Sequence, residues 1–188
     1  DFDGTLIQGD SFIDFFIHTF SIWRIVCCVL YLFPSLCCYF FGMTSKTIMK
    51  ERFLTFYLDR MQVTKFSQLC QIYSKRLNAI IKKKAIDKLL WHQYNGHRII
   101  IISASIEDWI RPWADQYRVD DLIATKLETL DGCLTGRLLR ENCYGIEKVR
   151  KFLEKYPNRS EYNLYVYGDG NSDKELLTLA DFPFFRIF

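Results

Sequence analysis

Hydrophobic and polar positions divide the chain into two unlike stretches. From Gly96 onward, short apolar runs rich in β-branched residues alternate with amphipathic ones. That alternation predicts an α/β core, a parallel sheet with helices on both faces. Residues 98–102 (RIIII) read as a fully buried strand, introduced by the helix stop Asn95-Gly96. A helix over 108–117 follows, then a strand over 122–126 and a hairpin over 127–138 that turns at Asp131-Gly132. Residues 145–156 read as a helix, with Ile146, Val149, Phe152 and Leu153 at helical spacing and Pro157 just past its end. A strand over 162–167, a helix over 173–180 and a short strand over 184–187 complete the pattern. Residues 11–94 read instead as nearly continuous helix, with Thr44 or Ser45 capping one helix that runs to Leu58 and Thr64 capping another that runs through Ile80.

Within that helical stretch no charged residue occurs between Arg24 and Lys46 (IVCCVLYLFPSLCCYFFGMTS). As one helix it would be about 32 Å long, enough for a membrane crossing. Pro34-Ser35 at its middle predicts a break, and hence an apolar helical hairpin over 22–45.

At 188 residues the chain suits one domain, or one core domain with an insertion. A net charge of +3, evenly spread, argues against a nucleic-acid partner. The seven cysteines (Cys27, Cys28, Cys37, Cys38, Cys70, Cys133 and Cys143) include no CxxC pair, which points to reduced thiols in a cytosolic setting. The doublets read as small hydrophobes in an apolar helix. His18, His92 and His97 have no ligand-like spacing and read as packing or surface. Lys82, Lys83, Lys84 and Lys88 read as a solvated helix face, with a membrane-facing role as the alternative.

Four short elements then fall in order, each after a strand or at a helix start, where an open α/β sheet places its crevice. They are Asp1-Phe2-Asp3-Gly4-Thr5, Ser103 closing the RIIII strand, Lys148 near a helix start, and Gly168-Asp169-Gly170-Asn171-Ser172-Asp173 after the 164–167 strand. Each alone has a plain reading: Asp169-Gly170-Asn171 is a turn sequence, and Asp173 suits a helix N-cap. Ser105 reads more readily as a cap for the following helix than as a phosphate contact.

Together and in this order they resemble the haloacid dehalogenase superfamily. The insertion resembles the helical cap of the subfamily that includes phosphoserine phosphatase. The apolar stretch after Asp10-Ser11, residues 143–149 and the ending 181–188 look like the branch related to phosphatidylglycerophosphatase C. The resemblance implies a Rossmann-like core (1–10 and 95–188) carrying an inserted all-helical cap (11–94). It also implies a Mg²⁺-dependent phosphatase. Asp1 would be the nucleophile and Asp3 the general acid and base, with Ser103 and Lys148 on the phosphate together with Gly4 and Thr5. Asp1, the Asp3 backbone carbonyl and Asp169 would hold the metal, and Asp173 would orient its waters or Lys148.

A lipid phosphate such as phosphatidylglycerophosphate is the expected substrate, with a small soluble phosphate such as phosphoserine as the alternative. An inactive membrane-associated binding module, or transfer to an acceptor other than water, stay open. The expected location is the cytoplasmic side of the inner (plasma) membrane, at an anionic surface, with the cytoplasm as the alternative. Further residues are expected before Asp1, ending in an apolar strand at the centre of the sheet, because Asp1 reads as a strand end.

Overall fold

The computed structural model describes residues 1–188. Five helices come first: α1 (Ser11–Thr19), α2 (Ile22–Phe40), α3 (Lys46–Leu58), α4 (Val63–Ile80) and α5 (Lys83–Tyr94). They are followed by β1 (Ile100–Ile106), α6 (Glu107–Gln116), β2 (Asp121–Thr125), β3 (Leu127–Leu130), β4 (Cys133–Leu138), α7 (Ile146–Lys155), β5 (Tyr165–Gly168), α8 (Lys174–Leu179) and β6 (Phe182–Phe185). The strands pair as β1–β2 and β5–β6, both parallel, and as the antiparallel hairpin β3–β4. This is the expected α/β architecture.

Alternation along the strands puts helices on both faces. Ile101 and Leu122 join a core with Trp109 and Trp113 of α6, whereas Ile102, Ile123 and Val166 pack against Phe152 of α7 and Leu176 of α8. The first core also takes in Phe15, Leu54, Tyr57, Phe66, Tyr73 and Leu77 from α1, α3 and α4. The helical insertion therefore shares one continuous interior with the sheet. Between β1 and β5 runs a mostly apolar groove of about 560 Å³, lined by Ile100, Ile102, Val166 and Tyr167 and reached by Ala85 and His92 of α5. The backbone nitrogen of Asp1 donates to the Tyr167 carbonyl at 2.8 Å, which lays residue 1 beside β5.

Several boundaries differ from the sequence expectation. Residues 22–45 do not form a hairpin broken at Pro34. Helix α2 runs through Pro34 without a break. The proline removes one backbone donor, which costs about 3 kcal/mol, while Cys28 and Leu32 anchor the helix in the core. The reversal comes at Gly42, whose φ of +72° is left-handed. There the Gly42 and Met43 N–H groups close on the carbonyls of Tyr39 (3.0 Å) and Cys38 (2.9 Å), a glycine C-terminal motif. The chain returns as α3, capped by Ser45 on the Ile48 N–H.

Thr64 is not a cap. Helix α4 starts two residues earlier, after Gln62, because the Val63 N–H donates to the Gly132 carbonyl and Leu134 N–H to the Met61 carbonyl, fixing the chain against β4. Ser103 does not close its strand. β1 continues to Ile106, but its register against β2 shifts between Ile102 and Ile106, so that four steps on β1 match two on β2. The final strand starts at Phe182, two residues early, and the preceding one at Tyr165, three residues late.

Candidate active site

The Asp1–Thr5 turn, the N-terminus of α7 and the turn after β5 converge. Lys148, in the first turn of α7, is fully buried, and its Nζ donates to Asp1 Oδ1 at 2.7 Å and to Asp173 Oδ1 at 2.6 Å. A buried ammonium is tolerable only when paired this closely. Thr5 Oγ1 donates to the other oxygen of Asp1 at 3.1 Å. Asp173 Oδ2 accepts the N–H groups of Gly170 (3.1 Å) and Asp169 (3.3 Å), so its side chain shapes the turn and holds the lysine together. Burial pushes the Asp173 carboxyl up, but Lys148 and the backbone donors outweigh it and hold it below the usual carboxylate range.

Carboxylate oxygens of Asp1, Asp169 and Asp173 lie within 4.8 Å of one another. Asp169 directs its carboxylate at the Asp1–Thr5 turn, where a Cβ on Gly4 would stand 2.1 Å from Oδ2; only glycine fits there, and its φ of +71° requires one as well. No side chain or backbone donor bonds the Asp169 carboxylate, and the Asp3 backbone carbonyl accepts no hydrogen bond. Anionic and carbonyl oxygens left without donors in one place fit a hard divalent cation such as Mg²⁺. Gly4 is not a phosphate donor here, because its N–H is taken by the Gly9 carbonyl at 3.0 Å.

Asp3 sits in a different setting two residues on. Its oxygens accept the Ser11 N–H at 2.7 Å and the Ser105 hydroxyl at 2.5 Å, and Ser11 Oγ in turn donates to Ser105 Oγ at 2.9 Å. No cation pairs with it. Burial raises its proton affinity above the ordinary carboxyl range, and the bonds from Ser105 and Ser11 pull only partly in the other direction. Ser105 is therefore not a helix cap: it belongs to β1 and holds Asp3, while α6 begins after Ile106 with no side-chain cap. Ser103 is fully buried; its oxygen accepts the Ser105 N–H at 3.0 Å, and its own proton has no acceptor in the protein.

Three further residues were not legible as site residues. Lys82 is not on a solvated face: its ammonium bonds the Gly4 carbonyl and lies 3.4 Å from the Phe188 carbonyl. Lys50 of α3 donates to the Ala104 carbonyl (2.6 Å) and to Asn142 Oδ1 (2.9 Å). Burial pulls its pKa down to about 8, against the opposing charges of Asp3 and Asp10. Thr125 Oγ1 joins the same network, 2.8 Å from the Ala104 carbonyl and 2.9 Å from Asn142 Oδ1. The shifted register of β1 is what frees the Ala104 carbonyl for these side chains. Single lysines in a charged sequence carry no signal of such placement.

Residues 1–178 match the family model for haloacid dehalogenase-like hydrolases, and the chain belongs to that family. It is 28% identical over 194 residues to Protein CicA of Caulobacter vibrioides, an alignment that spans 100% of this chain and 84% of that protein. Among solved structures it resembles a Bordetella pertussis protein of unknown function (TM-score 0.80, 21% identity, 95% of this chain and 83% of that one). It also resembles a substrate-bound phosphoserine phosphatase (TM-score 0.65, 19% identity, 96% of this chain and 80% of that one). At these identities the structural likeness establishes the fold.

Proposed function

We propose that this hydrolase is a Mg²⁺-dependent phosphomonoester phosphatase that carries the phosphoryl group on Asp1. The observation that carries this reading is the opposition of two nearby carboxyls. Asp1 is held against a buried lysine, and Asp3 is enclosed by hydroxyls and binds its proton more tightly than usual. Displacing an alcohol from phosphorus needs an anionic nucleophile and a proton donor in one site. Asp1 forms a bond to phosphorus as the bond to the leaving oxygen breaks, and Asp3 gives that oxygen its proton. Water then attacks the same phosphorus, Asp3 takes a proton from it, and the Asp1–phosphorus bond breaks.

Lys148 balances charge on the phosphoryl oxygens, Ser103 offers its free hydroxyl proton, and Asp173 keeps Lys148 in place. Mg²⁺, held by Asp1, Asp169 and the Asp3 carbonyl, would neutralise the roughly two negative charges of the phosphomonoester as it meets Asp1. A solved relative is a phospho-aspartyl intermediate analogue of phosphoserine phosphatase, which supports the same route here.

For substrate, the outward apolar face of α2 favours a lipid phosphate such as phosphatidylglycerophosphate, and the phosphoserine phosphatases among the structural relatives favour a small soluble one. Phosphate release from both, in detergent micelles with Mg²⁺ or with EDTA, tests the proposal. Release that survives EDTA, or that persists in Asp1→Asn, would overturn it.

A further inference from the structure

Helix α2 and the turn after it present a large apolar surface to solvent. Only Cys28 and Leu32 of the helix are buried. Trp23 is 76% exposed, and Leu30 and Phe33 lie on the same open surface. At the turn, Phe40 and Phe41 are 83% and 82% exposed, beside an exposed Met43. A soluble monomer has no use for so many large apolar groups in one continuous strip.

We infer that this strip is a membrane-docking surface, lying in the interface of an anionic bilayer with the active-site entrance turned toward the headgroups. The inference rests on the phosphatase reading for the use of that entrance, but the docking itself does not. Three observations select lipid as the occupant. The strip carries no charge from residue 25 to 45, while Arg24 and Lys46 stand at its two ends and Arg52 on the neighbouring α3 faces it, donating to Ser35 Oγ at 2.5 Å. That pattern complements anionic headgroups. Trp23 and Tyr31 are the amphipathic aromatics that favour the headgroup level. A second copy packed by a twofold axis would set the Arg24 end of one strip against the Lys46 end of the other, cation against cation.

The helix lies on the surface and does not cross. It runs antiparallel to α3, tied to it by the Arg24–Tyr57 carbonyl bond (3.3 Å), the Tyr31–Phe56 ring contact (5.4 Å) and the Arg52–Ser35 bond. A crossing would carry Lys50, Glu51 and Arg52 of α3 into hydrocarbon.

The apolar turn adjoins the site. Lys46, directly after it, holds its Nζ 5.7 Å from the centre of the Tyr144 ring, next to the Gly145 that precedes α7 and its Lys148. One turn further along α3, Lys50 bonds Ala104, between Ser103 and Ser105. A phosphate standing up from a bilayer that holds Phe40 and Phe41 would therefore be presented to the Asp1 side of the molecule. This places the protein at a membrane face that displays anionic lipid.

The test is flotation of the purified full chain, without detergent, with phosphatidylglycerol–phosphatidylcholine vesicles and with phosphatidylcholine vesicles alone, beside hydrolysis of a water-soluble aryl phosphate. Wild type is expected to float with the anionic vesicles. The Phe40→Asp/Phe41→Asp protein is expected to lose at least tenfold in bound fraction while its aryl-phosphate turnover is unchanged. Wild type left at the bottom of the gradient overturns the docking surface. So does size-exclusion showing a dimer that Leu30→Asp dissociates while vesicle binding is absent. Vesicle binding with no aryl-phosphate turnover overturns the proposed function and leaves the docking surface standing.

Discussion

Asp1 and Asp3 are two residues apart, on one turn, and their surroundings are opposite. Asp1 faces a buried ammonium shared with Asp173, with a threonine hydroxyl on its second oxygen. Asp3 faces two serines and a backbone N–H and makes no ion pair. One environment sets a cation against the carboxylate, and the other, by burial, raises the proton affinity of Asp3. Phe2 between them is fully buried against Trp113 at a ring separation of 5.3 Å, which anchors the turn while each aspartate meets its own set of partners. On the proposed mechanism this difference lets one short segment supply both a nucleophile and a proton donor, the residue type setting the chemistry and the neighbours dividing the roles.

The sharpest way to break the comparison is Asp1→Asn, which keeps the shape and removes the nucleophilic charge. Turnover in a phosphate-release assay is expected to fall by about 10⁴-fold or more, and activity close to wild type would end the assignment of Asp1. Asp3→Asn removes the proton donor instead, and turnover is expected to fall by roughly 10²–10⁴-fold.

Stability should separate the two residues as well. Asp3's folded-state proton affinity is raised, so folding takes up a proton once the unfolded carboxyl has ionised, above about pH 4. Wild-type stability then declines as pH rises from there toward the raised folded value. Asn in place of Asp3 is expected to remove that component and flatten the dependence of Tm on pH, read by calorimetry between pH 4 and pH 8. An equal slope in both proteins would contradict the environment assigned to Asp3.

Lys148→Met attacks the other side of the comparison. It leaves the buried carboxylates of Asp1 and Asp173 facing each other without a counter-charge, and loss of one partner of such a pair costs about 3–5 kcal/mol. Turnover is expected to fall by about 10²–10³-fold, and denaturant unfolding at neutral pH should show the destabilisation. The smallest effect belongs to Ser105→Ala. The Ser105 hydroxyl bond lowers the proton affinity of Asp3, so its removal raises it further. The alkaline limb of the kcat/KM profile should then move to higher pH, with a loss in rate on the order of tenfold, the worth of about one hydrogen bond. A limb that moves to lower pH would reverse the role given to Ser105.

The alternation of the second half was legible because strands and helices of an α/β sheet differ in period: α6, β2, the β3–β4 hairpin and α7 lie within one residue of their expected places, whereas β1 starts two residues late and ends four residues late. Asp1, Lys148, Asp169 and Asp173 could be gathered because motif order stands in for proximity in an open sheet. What was illegible depends on distant backbone. Pro34 was read as a break, yet the helix tolerates one missing donor and ends only where Gly42 permits left-handed backbone. Ser105 was read as a cap because its neighbour sequence starts a helix, but the shifted register of β1 places it on Asp3. Lys50 and Lys82 look like any surface lysine until α3 and α5 are set beside the carbonyls they bond.

The shared interior of the insertion and the sheet bears on how the molecule opens. Phe15 stacks on Trp109 at 4.7 Å and meets Phe66 and Tyr73 edge-on, so α1, α4 and α6 interlock through aromatic rings. Swinging the helical insertion away as a rigid lid would strip these rings of their contacts and expose a core that both halves depend on. Such a motion approaches global unfolding in cost. Amide protons of α4 and of β1 would then exchange with solvent through one common event, with one common free energy of opening, and traffic of substrate and product falls to the short turns around the site while the insertion stays in place.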